Sequence, residues 1–336
     1  MLSYFDDYDK RYPDIVIEIL EFFTIDNSAY AVKDKSILKF CEFHKDGSNY
    51  NYQPTIVSRI CKRLCERGLM HCVHHDGSLG FNDNYLFLVN SKDFFNDREL
   101  IKYYFNSMVY GFEYIYDLYK SLVVPFVWEK DDGRYSAGTG FKFLNGIVTA
   151  KHCITDVNNL QIRGYLASDL EGKKVYISDN PYCDIAFIET GEIANPVLLH
   201  ETGEIMQEVL VMGYPKIPAF TDFLTAEKAT ISSKASSRMT PTRGSIAALG
   251  YEYLTKMDAM LITAKIRGGN SGGPVINDCG CVVGVSCHIP DYDGTNGEYD
   301  DLGYGIAVPI KNVIDIIKNK PNCIELPKGF YKDFVE

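Results

Sequence analysis

Residues 266–275 read IRGGNSGGPV. Ser271 stands in this stretch with Gly268 and Gly269 before Asn270 and with Gly272 and Gly273 after it. Glycines around a serine let the main chain come close to a bound group, and they let amide N–H groups converge on one point. Acyl transfer needs that convergence, because its tetrahedral intermediate carries an oxyanion. The same string also fits a plain tight turn, so the flanking sequence has to decide. Short β-like runs lie at residues 140–144, 146–150, 174–177, 185–189, 208–212, 260–266, 274–276, 282–287 and 304–308, separated by Gly, Asn, Asp and Pro. Many short strands at this spacing predict a closed or sandwiched all-β domain. A helix over residues 310–318 is expected to end it.

The segment GNSGGP resembles the nucleophile motif of trypsin-like serine proteases, in particular those of the bacterial HtrA-type branch. Two further segments match that family in the required order. VTAKHC (148–153) is similar to its histidine motif, and DNPYCDIAFI (179–188) to its acid motif. SAGTGF (136–141), VMGYP (211–215), VGVS (283–286) and GYGIAVP (303–309) fall where the family has supporting matches. The resemblance spans roughly residues 123–320. It implies a C-terminal all-β domain at 122–336, a double six-stranded barrel of the trypsin-like protease fold, that hydrolyses peptide bonds.

A serine hydroxyl is a weak nucleophile at neutral pH and needs a base. The resemblance assigns the attack to Ser271, the base to His152, and the hold on the His152 tautomer to Asp184. The backbone N–H groups of Gly269 and Ser271 are expected to form the oxyanion hole. Ser286, Cys287 and His288 are expected to line the substrate strand, and Gly305 to border the S1 pocket. The implied partner is a protein or peptide substrate, and neither cofactor nor metal is expected.

The departures from the family are informative. Cys153 follows His152, but its usual partner cysteine is missing upstream, and Arg267 stands where a second cysteine would precede Ser271. Asn270 occupies the position of the Asp that receives a new N-terminus in zymogen-type relatives. Activation by N-terminal cleavage is therefore not expected, and loop ordering by a partner is the better expectation. Lys265 lies where trypsin carries its selecting Asp, so no Arg/Lys preference follows from it. Residues 291–301 (DYDGTNGEYDD) carry five carboxylates and no base. They read as a solvated loop rather than a calcium loop, because Thr295 and Asn296 break the EF-hand pattern.

The first 91 residues have another character. Helical stripes run through residues 14–23 (Ile15, Ile19, Phe22, Phe23), residues 36–43 and residues 55–67 (Ile56, Ile60, Leu64). Two extended runs follow, at 69–73 and 85–89, around a Gly77–Gly80 turn. Three helices and a hairpin resemble a winged helix-turn-helix, an α+β domain at 1–91. Arg59, Lys62, Arg63 and Arg67 are then the candidate nucleic-acid contacts. Ten Lys and Arg against thirteen Asp and Glu over residues 1–90 favour a regulatory protein contact over DNA. Cys61, Cys65, Cys72, His71, His74 and His75 read as buried thiols and a polar hairpin rather than a zinc centre, since no second paired motif accompanies the CxxxC. Residues 92–121 are expected to form a connector, one long aromatic-rich helix that Gly111 interrupts without breaking. The whole is thus a multidomain chain.

The 336 residues carry 34 Lys and Arg and 45 Asp and Glu, a net charge of −11. That balance opposes broad, sequence-independent nucleic-acid binding. No run of 18 apolar residues predicts a transmembrane helix, so no membrane partner is expected. The polar, acidic start does not read as a secretory signal. With ten cysteines and no family-type pairing for Cys153, the sequence leads to the expectation of a reducing, cytoplasmic setting. A competing class stays open, a winged-helix DNA-binding regulator or sensor carrying an inactive protease-like module.

Overall fold

The structure, a computed structural model, describes residues 8–24, 35–76, 80–87, 97–129, 135–215, 239–253, 255–287 and 304–326. The chain divides into two compact units, Met1–Ile115 and Tyr116–Glu336.

The first unit opens with α1 (Tyr8–Arg11), α2 (Ile15–Phe23) and α3 (Ile37–Phe43). The Ser36 hydroxyl caps α3 by accepting from the Lys39 N–H at 3.3 Å, which satisfies one of the amides that a helix start leaves without a partner. Two-residue strands β1 (Lys45–Asp46) and β2 (Asn49–Tyr50) lead to α4 (Pro54–Glu66), where Pro54 takes the first helical turn. A hairpin of β3 (Met70–His74) and β4 (Asn84–Phe87) follows. The apolar stripes meet in one core. Ile15, Ile19 and Phe23 of α2, Ile37 and Phe40 of α3, and Ile56, Ile60 and Leu64 of α4 are buried together with Tyr85 and Phe87 of β4. Burying an aromatic or branched aliphatic side chain of this kind contributes about 1.5–3 kcal/mol. Isolated bridges Thr24 to Phe87 and Ser36 to Asn84 tie the hairpin to the helices.

The expected single connector helix is two helices, α5 (Arg98–Tyr110) and α6 (Phe112–Tyr119). Gly111 sits between them at φ 76°, a left-handed conformation that only glycine adopts cheaply and that no α-helix can contain. The aromatic residues of α5 serve packing within the first unit: α5 lies against α2 and α4, and Phe105 meets Phe87 edge-on.

The second unit is built of two sheets. The strands of the first are β5 (Val123–Glu129), β6 (Tyr135–Phe143), β7 (Gly146–Thr149), β8 (Asn158–Ile162), β9 (Lys174–Ile177) and β10 (Ala186–Glu189), with the one-turn helix α7 (Ala167–Leu170) between β8 and β9. Those of the second are β11 (Leu199–His200), β12 (Glu208–Gly213), β13 (Thr240–Glu252), β14 (Met257–Ile262), β15 (Pro274–Asn277), β16 (Cys281–Ser286) and β17 (Gly305–Pro309). Helix α8 (Ile310–Asn319) and strand β18 (Asn322–Glu325) end the described chain.

The second sheet runs β11-β16-β15-β12-β13-β14-β17, and pairing of β16 with β17 closes six of its strands into a barrel. The first runs β18-β9-β10-β7-β6-β5-β8 and stays open among the described residues. The expected double six-stranded barrel is therefore one closed barrel and one open sheet. The physical reason is β18, whose antiparallel pairing occupies the free edge of β9, the edge through which closure onto β8 would run. Each sheet has its own apolar core: Phe126, Ile147, Ile162, Val175 and Ile188 in the first, and Val211, Ile246, Met260, Ile262 and Val283 in the second. The sheets pack where β12 meets β5 and β6.

Candidate active site

The register of β7 against β10 brings two of the candidate residues together. Thr149 lies opposite Ala186 at the end of the ladder. The chain beyond Thr149 enters a short 3₁₀ turn (Lys151–Cys153), and the residues just before Ala186 run alongside it. The Lys151 N–H donates to the Asp184 carbonyl at 3.1 Å, which carries the pairing past the strand ends. His152 and Asp184, 32 residues apart, are thereby locked at two points. The His152 backbone N–H donates to Asp184 Oδ1 at 2.9 Å, and the ring Nδ1 lies 2.6 Å from Asp184 Oδ2. With a carboxylate accepting at Nδ1, that nitrogen carries the proton and Nε2 is left as the basic atom.

The His152 side chain is 45% exposed, whereas the Asp184 side chain is 13% exposed. Burial of the ring disfavours the imidazolium, but the Asp184 hydrogen bond and charge, with a contribution from Cys153, outweigh it and hold the His152 pKa up at about 10.

Ser271 reaches the same end of the first sheet through β6. The Thr139 N–H of that strand donates to the Ser271 carbonyl at 2.9 Å. The Thr139 hydroxyl donates to the Gly269 carbonyl at 2.7 Å and accepts from the Tyr214 N–H at 3.0 Å. The Ser271 carbonyl also lies 3.9 Å from the Cys153 thiol sulfur, one residue from His152. On its other side the loop extends the β15–β16 ladder: the Gly272 N–H donates to the Ser286 carbonyl at 2.7 Å and the Ser286 N–H to the Gly273 carbonyl at 2.8 Å. Ser271 is thus clamped between the two sheets and is 5% exposed.

Gly272 shows why the motif needs glycine there. Its φ is 88°, and a Cβ on it would stand 2.1 Å from the Thr139 carbonyl oxygen and 2.6 Å from the Ala150 nitrogen. Both obstacles are backbone and cannot rotate away. The expected result for Gly272→Ala is a loss of about 1–3 kcal/mol from the backbone conformation alone. Displacement of Ser271 by about 1 Å would lower turnover by a further ~100-fold. Thermal unfolding and the rate of Ser271 labelling by a fluorophosphonate check the two effects.

The remaining candidate residues are placed as follows. Gly269 is at φ 101° within a turn in which the Asn270 N–H donates to the Arg267 carbonyl. Ser286 is fully buried and its hydroxyl donates to the Asn270 carbonyl at 2.6 Å, so its side chain faces the serine loop. Cys287 is buried, and its thiol lies 3.6 Å from the Asp184 carbonyl. Gly305 opens β17 opposite Ile262. His288 and the acidic stretch 291–301 lie outside the described residues. In the other unit, Arg59, Lys62, Arg63 and Arg67 are all exposed at α4 or its end. Of the thiols expected to be buried near them, Cys61 is, Cys65 is half-buried and Cys72 is exposed. All ten cysteines are free thiols.

Two residues that position the serine loop carry only a weak signal in the sequence. Thr139, fully buried, holds the loop through both its N–H and its hydroxyl, and its signal is its place inside SAGTGF. Asn270 stands out in the sequence only as a departure from the family. It is 1% exposed, and its Oδ1 has no hydrogen-bond partner among the described residues.

Residues 138–285 match the family model described as the trypsin-like peptidase domain. The chain is 26% identical over 192 residues to the chloroplastic protease Do-like 2 of Arabidopsis thaliana, covering 54% of this chain and 28% of that one. It is 29% identical over 175 residues to the "Probable periplasmic serine endoprotease DegP-like" of Buchnera aphidicola, covering 50% of this chain and 32% of the relative. Among solved structures, the active form of the Rv3671c protease of M. tuberculosis aligns with a TM-score of 0.45 and 20% identity over 66% of this chain and 89% of that one. The chain spans about 30% of the length of these curated relatives. Residues 138–285, within the second unit, are thus similar to the trypsin-like peptidase domain, and the matching relatives are named as Do-like and DegP-like proteases.

Proposed function

We propose that the chain is a serine endopeptidase that cleaves protein or peptide substrates through Ser271, His152 and Asp184. The observation that carries this reading is the two-point lock of Asp184 on His152 at the sheet end that also holds the Ser271 loop. In the reaction His152 Nε2 takes the Ser271 proton as the hydroxyl attacks the scissile carbonyl. Asp184 stabilises the imidazolium so formed, and the ring then gives the proton to the leaving amine. The Gly269 and Ser271 N–H groups receive the oxyanion, and losing one donor of this kind costs roughly 3–4 kcal/mol of transition-state stabilisation. Cys287 lines the substrate strand and Gly305 borders the S1 pocket in this reading. A fluorophosphonate probe tests it: labelling is expected at Ser271 and is lost in His152→Ala, whereas labelling elsewhere would refute it.

The N-terminal unit is proposed as a winged-helix regulatory module, with α4 as its third helix and the β3–β4 hairpin as its wing. The net charge of −3 over residues 1–90 favours a protein partner. The ten free thiols support a reducing, cytoplasmic setting for the whole. A second reading, a DNA-binding regulator with a silent protease module, is favoured by one observation, the exposure of all four basic side chains at α4. It predicts salt-dependent retention of the full chain on duplex DNA. Replacing Lys62 and Arg63 with Ala would then lower the salt slope by about 0.9 for each phosphate no longer neutralised. Retention that ignores these substitutions argues against it.

A further inference from the structure

The hairpin of the first unit gathers three donors of different chemistry. One ligand atom each from Cys72, His75 and Asp83 lies within 4.8 Å of the others. The strand register explains how they meet. Cys72 pairs with Tyr85 and His74 pairs with Asn84, so β3 carries one residue more than its partner between these pairs. A bulge of this kind breaks the two-residue alternation and re-aims the side chains that follow. His75, which would otherwise point away from Cys72, faces the Asp83 carboxylate instead, with its Nδ1 2.8 Å from Oδ2.

Asp83 is 1% exposed, an unusual place for a carboxylate. Its Oδ1 accepts the Asp76 N–H at 2.8 Å, which fixes its orientation. Its Oδ2 is turned towards His75, whose side chain is 67% exposed. A buried carboxylate calls for a cation, and here it faces the exposed imidazole of His75 and the Asp76 amide. Beside it stands the exposed Cys72 thiol, whose pKa partial desolvation and the Asp83 charge raise above its ordinary value.

From this geometry we propose that Cys72, His75 and Asp83 form a binding site for a borderline-soft divalent cation of the zinc class, with solvent in the fourth position. Sulfur, imidazole nitrogen and carboxylate oxygen together suit zinc and disfavour magnesium and calcium, which take oxygen ligands. Tetrahedral zinc with bonds of this kind sets its donors about 3.3–3.8 Å apart. The side chains of Cys72 and His75 are exposed and reach that spacing by rotation, while Asp83 stays fixed by the Asp76 amide. On binding, the Cys72 thiol gives its proton to solvent and the thiolate bonds the metal, while the hydrogen bond from His75 to Asp83 gives way and the neutral ring keeps its one proton on the nitrogen that does not bind. The cation neutralises the buried carboxylate and pins both strands of the hairpin at its bulge. The site lies wholly in the first unit and does not depend on the protease reading.

Cobalt(II) tests the proposal on the full-length chain, stripped of metal and kept reduced by a non-thiol phosphine. One equivalent is expected to give a sulfur-to-cobalt charge-transfer band, which zinc(II) then displaces. Cys72→Ser should abolish the band with unchanged circular dichroism, because the side chain is exposed. His75→Ala should weaken binding by about tenfold or more. Cys65→Ser and His152→Ala should retain both the band and the affinity. A cobalt spectrum without the sulfur band, a band that survives Cys72→Ser, or no stoichiometric binding would each overturn the site.

Discussion

Replacing Ser271 with alanine is expected to lower kcat on the order of 10⁶-fold and to leave the melting temperature close to that of the parent. The magnitude follows from cooperation: once the nucleophile is gone, the base and the acid have nothing to activate, and what remains comes from oxyanion stabilisation and binding alone. The loop should hold its shape, because the hydrogen bonds that seat it meet the loop's own main chain rather than the Ser271 hydroxyl. Thr139 N–H reaches the Ser271 carbonyl, Gly272 N–H reaches the Ser286 carbonyl, and Ser286 N–H reaches the Gly273 carbonyl. Peptide-library cleavage and thermal unfolding measure the two quantities side by side. Turnover that persists in the alanine variant would falsify the assignment of Ser271.

The second large effect belongs to Asp184→Asn, for which a kcat loss of about 10⁴-fold is expected. An asparagine keeps the shape and can still accept the His152 backbone N–H. If its amide group then faces Nδ1, the ring must accept there, and the proton moves to Nε2. In that tautomer His152 cannot take a proton from Ser271.

The change is also visible in pH dependence. Burial alone would lower the His152 pKa, but the Asp184 hydrogen bond, the neighbouring Cys153 and the Asp184 charge together raise it to about 10. A base with a raised pKa is protonated until higher pH, so the acid limb of kcat/KM lies above the ordinary histidine value of about 6.5. For stability the sign is the reverse. The ion pair's contribution is complete below about 6.5 and is lost as the pH rises through about 10. The gap in melting temperature between parent and Asp184→Asn should therefore narrow across that window, and a gap that widens would contradict the pairing. Because the ring is nearly half exposed, solvent screening keeps this stability effect small beside the catalytic one.

Much of this arrangement is legible in the sequence, and the reason is local. The alternation of short apolar runs and turn residues places β9 at the observed residues, and places β7, β10, β12, β15 to β17 and α8 to within a residue or so at either end. The three motifs are readable because each is a short string whose chemistry rests on residue type. Longer or more polar strands escape such a reading. β13 runs for thirteen residues from Thr240 to Glu252, with Gly244 and Gly250 inside it and much of its surface exposed, so no apolar pattern marks it. β5 is buried almost throughout but contains Pro125, which obscures a strand in a linear reading. The single connector helix fails at Gly111, where backbone freedom outweighs the helical pattern on either side.

What the sequence determines by itself is which chemical groups are present and which segments can be strand or helix. The hydroxyl of Ser271, the imidazole of His152 and the carboxylate of Asp184 are fixed by residue identity, and the turn before β15 by its glycines. Which of these groups meet is decided by tertiary structure. The Thr139 hydroxyl holds the Gly269 carbonyl across 130 residues of chain, and no local pattern encodes that hydrogen bond. The edge strand β18 leaves the first sheet open, since it pairs with all four residues of β9, Lys174 to Ile177, along that edge. In the hairpin, one extra residue between Cys72 and His74 turns His75 onto Asp83, a carboxylate that nothing in the linear pattern marks. Register and edge pairing are properties of two segments at once, and folding is what brings the second segment to the first.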